Sequence, residues 1–179
     1  MLKEVLADIK KIAQDSGKSP SDIKLLAISK YADFSKMLDL YNQGQRDFGE
    51  NIVKAALDKK QEFENNNIND ITWHFIAPIQ SNKTSDIAAN FAWVHSLDRV
   101  KIARRLNDQR PVNLSPLNIC IQVNIDHDPN KSGVNIDDPA QIMDLVSQVL
   151  VLPNLKLRGL MTLPAKLDNE AENLAHAKE

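Results

Sequence analysis

Leu2, Val5, Leu6, Ile9 and Ile12 recur at helical spacing, so the first fifteen residues read as an amphipathic helix that Gly17 ends. The signal then changes. Leu25-Leu26-Ala27-Ile28 is a continuous apolar run between Ser-Pro-Ser-Asp and Tyr-Ala-Asp, which fits a parallel strand covered on both faces. Phe34, Met37, Leu38 and Tyr41 restore the helical period, Asn42 and Gly44 stop it, and residues 46–50 form a short second strand ending in a tight turn. A polar helix over about 51–64 leads to the β-forming run 71–76, closed by Pro78. Ser81 or Asn82 is placed to cap a helix through Ile87, Ala88 and Phe91, followed by a fourth strand at 93–97. Asp98 is placed to cap the helix through Val100, Ile102, Ala103 and Leu106. Pro111 and Pro116 bracket the loop into a fifth strand at 117–125. Asp137 or Asp138 before Pro139 opens a helix through Ile142, Leu145, Val146 and Val149, a sixth strand covers 155–163, and a sixth helix is expected around 170–179.

Strand starts near 24, 46, 72, 93, 118 and 155 have the rhythm of repeated βα units. No Gly-rich dinucleotide fingerprint follows the first strand, and such regular crossovers favour a TIM-type (β/α) barrel over a doubly wound sheet. In the fifth strand Ile119, Ile121, Val123 and Ile125 share one face, and Asn118, Cys120, Gln122 and Asn124 share the other, as at a polar barrel interior. A full barrel has eight strands in about 250 residues, so six of eight are expected here.

With 179 residues, 42% hydrophobic and 26% charged, the chain suits one domain spanning 1–179. A net charge of −2 and a pI of about 6.1 offer no general attraction to nucleic acid or anionic membrane, which leaves small molecules as the expected partners. The single cysteine, Cys120, excludes an intramolecular disulfide framework, and no apolar stretch reaches the ~18 residues of a bilayer span. Glu4 and Asp8 make the first helix unlike a secretory signal, so a cytoplasmic location is expected.

Lys30 stands at the carboxyl end of the first strand, where α/β folds collect ligands. It is either a reactive amine or a lysine that marks the strand end and reaches for water. Asn51, after the turn Phe48-Gly49-Glu50, is either a polar group at the barrel mouth or a helix cap. His74, flanked by Trp73 and Phe75, reads as a hydrogen-bonded core residue. Gln80-Ser81-Asn82-Lys83 joins small polar groups to a helix start, which favours anions, or is only a cap. The loop 126–133 holds His127 with Asp126 and Asp128, but Pro129 and the lack of a second ligand cluster argue against a metal. Cys120 reads as a buried small hydrophobe.

Leu25-Leu26-Ala27-Ile28-Ser29-Lys30, Phe48-Gly49-Glu50-Asn51, Trp73-His74-Phe75-Ile76, Gln80-Ser81-Asn82-Lys83, Lys131-Ser132-Gly133 and Leu157-Arg158-Gly159-Leu160-Met161 together resemble the signature blocks of the pyridoxal phosphate homeostasis proteins, in order and spacing. The resemblance covers about residues 20–165 and implies the barrel of the alanine racemase N-terminal domain. It also implies bound pyridoxal 5′-phosphate and a role in vitamin B6 homeostasis without catalysed turnover. Lys30 matches the lysine that forms an imine with the cofactor, Asn51 the asparagine beside it, and Met161 a methionine near the ring; Asn82 falls within a further cofactor-binding block. Lys131 matches a loop lysine implicated in moving the cofactor. The implied partner is the cofactor itself and the implied state a monomer. Ala77 replaces a usual glycine and Tyr31-Ala32-Asp33 a usual Thr-Lys-Pro. The family's Ser-x-Gly-Met-Ser and Arg-Ile-Gly phosphate segments are not in the sequence, which reads as a barrel incomplete at its carboxyl end, with strand edges open to self-association. Two alternatives come from other classes: a pyridoxal phosphate-dependent racemase, which needs a second acid/base group opposite the lysine, and a cofactor-free assembly protein.

Overall fold

The computed structural model describes residues 2–165, and the helix expected around 170–179 lies outside them. Strands and helices alternate along the chain, in two compact units that divide after His74.

In the first unit, α1 (Leu2–Asp15) ends in a Schellman arrangement: Gly17, at φ 68°, donates to Gln14 and Lys18 to Ala13. A short 3-10 turn, Pro20–Asp22, is closed by a reciprocal capping box with Ser19. Strand β1 (Ala27–Ile28) leads to α2 (Phe34–Asn42), capped by Asp33, then β2 (Asp47–Glu50), α3 (Val53–Asn65) and β3 (Thr72–Phe75). The core is aromatic. Phe63 on α3 packs 4.8 Å from Phe34 and 6.3 Å edge-on to Trp73, and Phe48 and Met37 are fully buried beside them.

β1 is shorter and more open than the apolar run suggests. It pairs in parallel with β2, Ala27 opposite Phe48 and Ile28 opposite Gly49, but the Leu25 carbonyl upstream accepts from the Gln45 side chain instead of a strand. Leu25, Leu26 and Ala27 are half-buried and Ile28 is 52% exposed, so this is not a strand covered on both faces.

The second unit contains α4 (Thr84–Asn90), β4 (Trp93–Leu97), α5 (Val100–Asp108), β5 (Leu117–Asn124), β6 (Val134–Asn135), α6 (Pro139–Leu150) and β7 (Leu155–Thr162). β5 is its spine, pairing in parallel with β4, β6 and β7. Leu117, Ile119 and Ile121 are completely buried and Val123 nearly so, and Ile102 and Leu106 of α5 and Leu145 and Val149 of α6 are buried as well. Where α4 ends, Arg110 Nη1 donates to the Ala88 and Phe91 carbonyls, while its Nε and Nη2 donate to Ser115. One buried guanidinium thus serves all three carbonyls.

Three local expectations are corrected. Neither Ser81 nor Asn82 caps α4: Ser81–Lys83 is a 3-10 turn, and the helix is entered from Lys83 with no side-chain cap. Asp98 does not cap α5, because its carboxylate pairs with Arg99, the residue at the cap position. β6, just after the loop 126–133, is a two-residue strand too short to show an alternating pattern, so the described residues hold seven strands where six were expected. Asp138 does cap α6, accepting from the Gln141 amide at 2.9 Å.

Candidate functional site

In the first unit Lys30 and Asn51 follow the carboxyl ends of neighbouring parallel strands. The Ser29 amide extends the β1–β2 ladder by donating to Gly49 at 2.9 Å, so each strand hands on its polar residue at nearly the same level. Lys30 is exposed, and its Nζ stands 5.2 Å from the Tyr31 ring centroid. It forms no ion pair among the described residues. Asn51 is half-buried, and its amide has no hydrogen-bond partner among them; Ile52 occupies the cap position of α3 with no side-chain cap bond. The capping reading of Asn51 is thereby removed. What remains is an open amine beside an amide with unused donors and acceptor.

Beneath this pair lies a buried cluster that sequence reasoning missed. Glu50 is fully buried, and its Oε1 accepts from Ser29 Oγ at 2.6 Å and from Lys59 Nζ at 2.7 Å. Lys59, on α3, also donates to the Ser29 carbonyl at 2.6 Å. The available signal was a glutamate at the end of a buried strand, which obliges some cation to come to it. At the start of β2, Asp47 Oδ1 meets His74 Nε2 at 2.9 Å and Lys24 Nζ at 2.8 Å, so His74 is the bonded core residue expected.

The second unit holds Asn82, Lys131 and Met161. Asn82 is exposed on the 3-10 turn, and Met161 is half-buried on β7. Lys131 is already engaged, with Asp126 and, at 2.9 Å, with the Leu163 carbonyl just past β7. Other bonds fix the loops at the carboxyl ends of these strands. Ser96 donates to the Ala77 carbonyl, Arg99 to Ile79, Gln122 to Ser132 and Asn124 to Asp128. Ala77, where a glycine was expected, has its carbonyl bound all the same. Towards the opposite ends of the strands, Arg158 donates to Asn118 and lies 5.6 Å from the Trp93 ring, which stacks on His95. Burial holds the His95 imidazole below its ordinary range and pushes the Cys120 thiol up, the latter partly offset by Arg158. Among the described residues no group of three or more His, Cys, Asp or Glu comes together.

The alanine racemase N-terminal domain family matches residues 3–179. Pyridoxal phosphate homeostasis proteins of Pseudomonas aeruginosa and Haemophilus influenzae are 44% and 46% identical over 178 and 164 residues, covering 99% and 92% of this chain. The chain belongs to the pyridoxal phosphate homeostasis protein family. It spans 75% and 68% of the length of those two family members. The structure of PipY of Synechococcus elongatus with pyridoxal phosphate bound superposes with a TM-score of 0.74 at 29% identity, covering 93% of this chain and 75% of PipY. Alanine racemase of Clostridium difficile, at 15% identity and a TM-score of 0.65 over 99% of this chain and 44% of that one, shows the shared fold. The fold is thus the α/β barrel type of that racemase's N-terminal domain, as the βα rhythm predicted.

Proposed function

We propose that this protein binds pyridoxal 5′-phosphate through Lys30 and serves its cellular homeostasis without catalysing turnover. The observation that carries the reading is the pairing of an exposed lysine and a half-buried asparagine at adjacent strand ends, the lysine without a carboxylate and the amide without a partner among the described residues. These residues fit the aldehyde end of the cofactor. When bound, the cofactor supplies an aldehyde that an amine can hold covalently. Lys30, open to solvent and paired with no carboxylate among the described residues, is free to attack it once deprotonated. The Asn51 amide can hydrogen-bond the hydroxyl oxygen that the pyridine ring carries beside the aldehyde, which orients the ring. On motif positions alone the reading extends to Asn82, Lys131 and Met161 as further cofactor contacts. The homeostasis names of the relatives and the cofactor in PipY support it. No described helix is long and apolar enough to cross a membrane, which is compatible with action in the cytoplasm.

The test is titration with pyridoxal phosphate, followed by borohydride reduction and peptide mapping. A visible absorption band with the reduced label on Lys30, both absent in Lys30→Ala, is expected. Label spread evenly over surface lysines would overturn the reading. Since Lys30 is exposed and forms no ion pair among the described residues, Lys30→Ala should change stability by no more than about 0.5 kcal/mol, so lost binding is not lost folding.

A further inference from the structure

Glu50 is a poor choice for stability alone. A carboxylate with no exposed surface carries a large desolvation cost, and here one oxygen, Oε1, takes both donors while Oε2 has no hydrogen-bond partner among the described residues. A pair of apolar side chains would fill the same space at less cost. The arrangement does something that apolar packing cannot. Ser29 Oγ reaches from the end of β1 to the Glu50 carboxylate at the end of β2, and Lys59 from α3 bonds that carboxylate and the Ser29 carbonyl together. The same carbonyl accepts the Ala32 amide at 2.9 Å, closing the turn in which Lys30 and Tyr31 sit. Every bond of the cluster ends on the residue immediately before Lys30 or the residue immediately before Asn51.

We propose that Ser29, Glu50 and Lys59 form a clasp whose role is to position Lys30 and Asn51, with Glu50 acting on the cofactor site only through those two neighbours. The inference rests on the proposed cofactor reading for its function, though not for its geometry. The hydroxyl sets the lateral spacing of the strand ends, the lysine fixes the turn carbonyl, and the glutamate joins the two. Hydrogen bonds carry the directional information, since an oxygen held by two donors at 2.6 and 2.7 Å has little freedom to shift.

The experiment uses the whole chain with Ser29→Ala and Glu50→Gln, pyridoxal phosphate as probe, and two readouts. One is the rate at which the borohydride-reducible adduct appears on Lys30. The other, without cofactor, is amide exchange at Ser29 and Ala32, with Thr72, which donates to Arg46 in the same unit, as internal reference. Both variants should slow adduct formation at least tenfold and speed exchange at Ser29 and Ala32 at least tenfold, with Thr72 unchanged. A merely structural role would move Thr72 as well. Unchanged exchange at the turn, unchanged adduct rate where the wild type forms the adduct, or equal loss at Thr72 overturns the proposal. If Glu50→Gln fails to fold, Ser29→Ala, which keeps the ion pair, decides alone. Should the wild type form no adduct on Lys30, the cofactor reading fails, and exchange still decides whether the clasp sets the turn.

Discussion

Replacing Gly133 with alanine isolates one contact on which the Lys131 loop depends. Gly133 has φ +125°, and a Cβ there would stand 2.9 Å from Asn124 N, 3.1 Å from Gln122 O and 3.1 Å from Val123 C. All three are backbone atoms of β5, so no side chain can swing away. Gly159, in the same unit, has φ +153° and nothing within 4 Å of its would-be Cβ. Both positions lie in backbone space that side chains rarely adopt, costing about 1–3 kcal/mol. Only Gly133 adds overlap, roughly 0.5 Å inside the ~3.5 Å optimum at three atoms, and forced overpacking of that kind costs a further ~1–3 kcal/mol. Gly159→Ala should therefore lose about 2 kcal/mol and Gly133→Ala about 4, a gap of about 2 kcal/mol. At ~2–4 °C per kcal/mol for a chain of this size, the midpoints should differ by about 4–8 °C. The assay is thermal and urea unfolding followed by circular dichroism, with the urea slopes compared to confirm that the same surface unfolds. If Gly133→Ala is no less stable than Gly159→Ala, β6 does not approach β5 as described, and the glycine of Lys131-Ser132-Gly133 is there for some other reason.

Arg110→Met should cost about 3 kcal/mol or more, because the Ala88, Phe91 and Ser115 carbonyls lose their shared donor in a buried setting; urea unfolding measures it, and a loss under 1 kcal/mol would refute the clamp. For His95, burial lowers the folded-state value below the ordinary 6.5, so the unfolded chain binds the proton more readily. Its contribution to stability is whole above pH 6.5 and is lost as pH falls through the lower folded value. Imidazole NMR should give a midpoint under 6.5, and His95→Gln should flatten the acid limb of the stability curve.

The candidate site was partly legible because its residues lie at strand ends, which periodicity locates well. Lys30 and Asn51 stand where the run 25–28 and the turn after Phe48 put them, and His74 is bonded in the core. The clasp was not legible, because Ser29, Glu50 and Lys59 belong to three elements and only packing brings them within 2.7 Å. Cap positions misled for a related reason. Asp98 has good capping chemistry, yet the adjacent Arg99 takes its carboxylate, a competition that propensity does not rank.

Hydrophobic spacing by itself determined the βα alternation and the strand positions, since burial of apolar side chains is a near-local demand written into every turn of helix and every pleat. It could not determine how much of β1 would be laddered. That depended on Gln45 claiming the Leu25 carbonyl. Nor could it determine which polar groups remain free. Lys59 is consumed by Glu50, Lys131 by Asp126 and Leu163, and Lys30 by no carboxylate among the described residues, although all three are the same residue in the sequence. Hydrogen bonds and ion pairs are made between atoms a few ångströms apart, and residues far apart along the chain come that close only after the backbone has folded.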